Sequence, residues 1–144
     1  MTQVYDVTLV LDTNAYADGD VLAVPQEIDG VFANGPRKLI SVTVLDEDDV
    51  GQAFDLVFMD ADGTVGTINA AVTISDADAR KILGIVAVAA ADFKDMINNK
   101  VATKTGIELA MAPASGQYSL WVAAVARGAG TWTAAGIRVK LGFI

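Results

Sequence analysis

Apolar and polar residues alternate along most of this chain, and the clearest case is its last segment, where Ile137, Val139, Leu141 and Phe143 are separated by Arg138, Lys140 and Gly142. Alternate side chains of a strand point to opposite faces, so a period of two predicts a strand with one face buried and one wet. The same reading applies to Tyr5, Val7, Leu9 and Leu11, set against Asp6, Thr8 and Asp12. It applies again to Ile40, Val42 and Val44 around Ser41 and Thr43, to Phe54, Leu56 and Phe58 around Asp55 and Val57, to Ile107, Leu109 and Met111 around Glu108, and to Tyr118, Leu120, Val122 and Ala124.

Weaker signals fill the intervals. Val21 to Val24 reads as a short extended piece ended by Pro25, which cannot donate to a central ladder, and Ile28 to Phe32 as an edge segment. A strand is expected near Gly66 to Ile74. Ser75 has the character of a helix N-cap, Asp78 follows three residues later, and Arg80, Lys81 and Gly84 suit the other end, so a helix of at most two turns is predicted. Ile85 to Ala90 alternates only between apolar types and is expected to be a strand covered on both faces. Asp92 to Lys104 lacks a clean period and reads as a long loop with one short strand. Gly128 to Gly130 is placed as the turn of a hairpin onto Ile137 to Phe143. Eight or so strands in succession, frequent turns and one short helix predict an all-β fold, a jelly-roll-like antiparallel β-sandwich formed by a single domain over residues 1–144.

Composition narrows what such a sandwich does. The chain has no histidine and no cysteine, the residue types that most readily supply acid–base, nucleophilic and thiolate chemistry near neutral pH. Ser41, Ser75, Ser115 and Ser119 therefore have no histidine to take a proton, and no enzyme activity is expected; among eighteen acidic residues, no carboxylate pair sits in a recognisable active-site setting. Ten basic residues against these eighteen leave a net charge of -8, which a nucleic-acid backbone would repel. The first residues carry Asp6 and no basic segment, unlike a signal peptide. The longest apolar run, Ile82 to Ala91, is about half of the ~20 residues a membrane-crossing helix needs. A hydrophobic fraction of 53% and a mean hydropathy of +0.42 are high for a small monomer and point to oligomerisation or attachment to a larger surface.

Three clusters invite a ligand. Asp60, Asp62 and Gly63 resemble part of a calcium loop, but in that frame Phe58 and Asn69 occupy the first and last ligand positions, so a hairpin turn with a left-handed glycine is the better account. Asp46 to Asp49 places four carboxylates in a row, read as a solvated acidic turn, and Asp18 and Asp20 add ligands only if the fold brings them near. No metal or cofactor is assigned. Gly128, Gly130 and Gly136 lack phosphate-loop spacing. Trp121, Trp132 and Tyr118 are read as core or inter-subunit aromatics, with a sugar-stacking face as the alternative.

The stretch from Ile74 to Val86, followed by Asp92 and Phe93, resembles a recurring segment in small tailed-phage structural proteins encoded near the head genes. The Tyr16 to Asp20 turn, the strand Tyr118 to Gly128, Thr131 to Thr133 and the closing Leu141, Gly142 and Phe143 are similar in order and spacing. The resemblance implies a capsid decoration (cement) protein on the exterior of the virion head, present in the host cytoplasm during assembly, trimeric, and bound to the major capsid protein. No catalytic residue transfers with it. Trp121, Trp132 and the segment Asp92 to Lys104, with Phe93, Met96 and Ile97, are the expected oligomer or capsid contacts. A head-fibre base, tail or connector protein and a carbohydrate-binding module are the alternatives.

Overall fold

The computed structural model describes residues 2–144 and consists of two antiparallel sheets packed face to face. The strands are β1 (Gln3–Thr8), β2 (Val21–Ile28), β3 (Arg37–Asp46), β4 (Phe54–Met59), β5 (Ile82–Val88), β6 (Phe93–Asp95), β7 (Lys100–Lys104), β8 (Leu109–Met111), β9 (Leu120–Ala126) and β10 (Ile137–Phe143). One sheet has the order β1-β10-β3-β7-β6, with β8 pairing the other half of β3; the second has the order β2-β9-β4-β5. Successive strands mostly alternate between the sheets, which is the jelly-roll arrangement. The sandwich expected from the alternation is therefore present. Strands consecutive in sequence pair with each other only where β4 meets β5 and β6 meets β7. In particular, β9 and β10 lie in opposite sheets, so Gly128 to Gly130 joins the layers and closes no hairpin.

The inward positions follow the alternation. Val7, Val42, Val44, Phe54, Leu56, Phe58, Val139, Leu141 and Phe143 all lie in the core between the sheets. On β3 the parity changes once. Leu39 pairs with Phe143 and Ser41 with Gly142, so Ile40 occupies the extra position of a bulge, and from there Val42, Val44 and Asp46 face inward. Pro25 lies within β2, which runs on to Ile28; β2 is an edge strand, and its register with β9 shifts between Ala23 and Gln26, where the missing amide is tolerated.

Strands β9 and β4 are covered on both faces. Leu120, Val122, Ala124 and Ala126 face the main core, while Ala123 and Val125 join Val21, Val57, Met59 and Val65 in a second apolar cluster on the outer side. The chain between β4 and β5 lies over that outer side, with Val65 and Ile74 packed down and the Val21 amide donating to Ala70 O. Residues 66–74 are thus a cover held by isolated bridges rather than the expected strand. The helix α1 spans only Asp76–Ala79, with the Asp78 amide donating to Ser75 Oγ at 3.1 Å as its cap. Gly84 is not its stop. It belongs to β5, and a Cβ there would lie 2.6 Å from Leu109 Cδ2, so glycine lets β8 close against the edge of the opposite sheet. Strand β5 is itself an edge with Ile85 55% exposed, contrary to the two-sided burial expected of it.

Candidate interaction surface

Of the acidic run at the end of β3, Glu47 and Asp49 are exposed as expected of a solvated turn, whereas Asp46 turns inward. Asp46 is only 1% exposed, and its carboxylate accepts from the Gly51 amide at 2.7 Å, the Asp48 amide at 3.0 Å and the Trp132 indole Nε1 at 3.1 Å. Asp48 in turn accepts from the Thr133 amide at 2.7 Å and from Thr133 Oγ1 at 2.9 Å. These bonds tie the β3–β4 turn to the β9–β10 connection. Trp132 is 3% exposed and meets the Tyr16 ring edge-on at 5.9 Å, so it is a core residue with almost no surface to offer a partner. Among the described residues no buried side-chain polar atom lacks a hydrogen bond, and no three acidic groups converge as a cation site would require. Asp20 is occupied in capping the Ala17 amide.

The electrostatics of the remaining carboxylates are those of local clamps. The Asn69 side-chain amide at 2.7 Å, with Asn14, holds Asp12 below the usual carboxylate range. Lys81 does the same for Asp78 across 2.9 Å, and the Ala89 amide together with Lys104 does so for Asp92. Burial raises the Tyr16 phenol, which accepts from the Asp12 amide and donates to Leu22 O.

Apolar side chains do face water, in particular places. The segment expected to be a long loop is an ordered hairpin of β6 and β7, preceded by a short 3-10 turn at Ala90–Asp92. Phe93 is half-buried and packs on the core, its ring 6.5 Å from that of Phe54. At the tip, Met96 is 60% and Ile97 83% exposed. Trp121 is half-buried against the outer cluster, and Tyr118 is exposed, so Tyr118, Trp121 and Trp132 do not share one open face on which a sugar ring would stack. Val4, Val10 and Ile144 are also exposed, and a shallow groove of about 550 Å³ is lined by Pro36, Leu83, Ala110, Met111, Ala112 and Ile144 together with Arg37 and Lys38. The groove was not legible as a unit, because it is assembled from four separate parts of the chain. Val10 did carry a signal, being an apolar residue on the wet side of an alternating run.

Neither a protein-family profile nor a curated protein sequence matches the chain. Among solved structures it is similar to a chain in the structure of infectious bursal disease virus, Gx strain, at 13% identity and a TM-score of 0.31. That likeness covers 99% of this chain and 31% of the viral one, so the chain spans about a third of its length. At that score it bears on neither mechanism nor partner.

Proposed function

We propose that this chain is a virion structural protein, specifically a capsid decoration protein that binds the major capsid protein on the outside of a tailed-phage head as a trimer and has no catalytic role. The observation that carries this reading is the placement of apolar side chains. The core between the sheets is filled, yet Met96, Ile97, Val4, Val10, Ile85 and Ile144 remain in water on separate elements. A surface of that kind suits a protein that touches several neighbours at once, where weak contacts add through multivalency. The net charge of -8 disfavours packaged DNA as the partner and keeps a many-copy component soluble before assembly. The resemblance of residues 74–86 and of the closing strands to small phage head proteins points the same way.

The test is to add purified protein to heads assembled without it and to sediment the mixture. Saturable co-sedimentation, with heads that better survive heat or osmotic shock, is expected. Absence of binding at micromolar protein would refute the reading, and labelled protein found only on tails or the connector would move it to another virion part.

A further inference from the structure

We propose that Met96 and Ile97 form a knob through which one copy of this chain docks into the apolar groove of a second copy. The proposal deepens the self-assembly part of the reading above and rests on it.

The tip is built in a conformation that its sequence does not favour. The Asn98 amide donates to Met96 O at 3.0 Å, closing a three-residue γ-turn around Ile97, whose φ is +77°. That turn is a strained one, and a β-branched residue is the least suited to left-handed backbone. Glycine or asparagine would be the ordinary choice, and Asn98 and Asn99 stand beside it. The strain is locked by two further bonds, from the Ile97 amide to Asp95 Oδ1 at 2.7 Å and from the Met96 amide to Asn99 O at 2.8 Å. Two costs therefore coincide at one residue, backbone strain and a large apolar side chain left in solvent, and neither serves the folded monomer. A rigid, preorganised apolar tip is what an insertion contact needs.

A matching acceptor exists at the other end of the same molecule. The tip adjoins Lys100, which pairs with Asp46 at one end of β3, whereas the groove adjoins Met111, which pairs with Arg37 at the other. Nine residue steps of strand separate these ends, about 30 Å, so the chain cannot fill its own groove. The groove is apolar apart from Arg37 and Lys38, a basic spot on an acidic molecule, and Lys38 makes no ion pair among the described residues. The tip brings Asp95, which uses only Oδ1 for the turn and leaves Oδ2 for a cation. Knob meets groove and carboxylate meets ammonium, which a second copy supplies in one contact. Such a contact is head-to-tail: it closes a ring such as a trimer if the rotation closes, and otherwise grows a filament.

The test uses the full chain. Light scattering should find an oligomer for the natural sequence and a monomer for Ile97→Gly, and the Ile97→Gly monomer should melt no lower than natural protein diluted to its monomer. Because the chain has no cysteine, Met96→Cys combined with Ala110→Cys should give disulfide-linked oligomers on a non-reducing gel, while Met96→Cys combined with Ala135→Cys, placed at the knob's own end, should not. A natural chain that is monomeric at all concentrations overturns the proposal, as does an oligomer that Ile97→Gly leaves intact. If Ile97→Gly stays oligomeric but no longer binds heads, the knob serves the capsid protein and only the copy-to-copy proposal fails; loss of oligomer with head binding retained supports it independently of the virion reading.

Discussion

Replacing Asp46 with alanine should cost about 4 kcal/mol of folding stability. Its carboxylate is the common acceptor for three donors, and two of the bonds, those from the Gly51 amide and the Trp132 indole, are buried. Orphaning a buried donor costs about 1–3 kcal/mol each, so these two alone give roughly 2–6 kcal/mol. Asp46→Asn keeps the shape and one acceptor oxygen but turns an NH2 group toward a donor, and should fall between. Urea unfolding followed by tryptophan fluorescence measures this directly, with the midpoint falling and the slope unchanged. The network claim is separable from simple packing by a double-mutant cycle. Trp132→Phe removes the indole donor while keeping an aromatic ring, so in the Asp46→Ala background it should cost about 1–2 kcal/mol less than in the natural chain. An Asp46→Ala loss under about 1 kcal/mol, or a cycle additive to within ~0.5 kcal/mol, would refute the reasoning.

Other outcomes follow from the same geometry. Gly130→Ala should destabilise the fold, since a Cβ there would come within 2.7 Å of the Trp132 ring, and thermal melting would register it. Tyr16→Phe should cost about 1–2 kcal/mol for its two bonds. The raised Tyr16 phenol favours the neutral form in the folded state, so its contribution is complete below the ordinary value of 10.0 and is lost as pH rises above it; Tyr16→Phe should lack that alkaline loss in a pH series of urea midpoints. Asp12, Asp78 and Asp92 have the opposite sign. Their folded values lie below the ordinary 3.8, so their contribution is present above 3.8 and lost as pH falls through the lower folded values, and the triple Asn variant should show a flatter acid limb. Ile85→Lys on the open edge of β5 should leave stability within about 0.5 kcal/mol while reducing aggregation on heating, read by turbidity.

The alternation made β1, β3, β4 and β10 legible because each has one face on the core, and a period of two records that directly. The pairing order was not legible. In a jelly roll most strands cross to the opposite sheet, and local turn residues carry no record of which distant strand lies alongside. Asp46 shows a signal present but outweighed: it continues the parity of Val42 and Val44 into the core, yet stands first in an acidic run that reads as solvated. Trp132 offered no such pattern, lying between two threonines in a connection. Its burial depends on Tyr16 and Asp46, which are remote in sequence. The tip at Met96 and Ile97 was included in the expected contact segment, but the γ-turn that makes it rigid could not be read from residue types, since isoleucine argues against it. Residues 66–74 failed as a strand because Val65 and Ile74 use their apolar side chains to cover β9 and β4 rather than to extend a ladder.

The proposal that this chain is a structural part of a virion is tested most directly by quantitative mass spectrometry of particles purified from cells that produce it. The chain is expected at a fixed, high copy number relative to the major capsid protein, retained through density-gradient purification. Particles that are infectious and contain none of it would contradict the account.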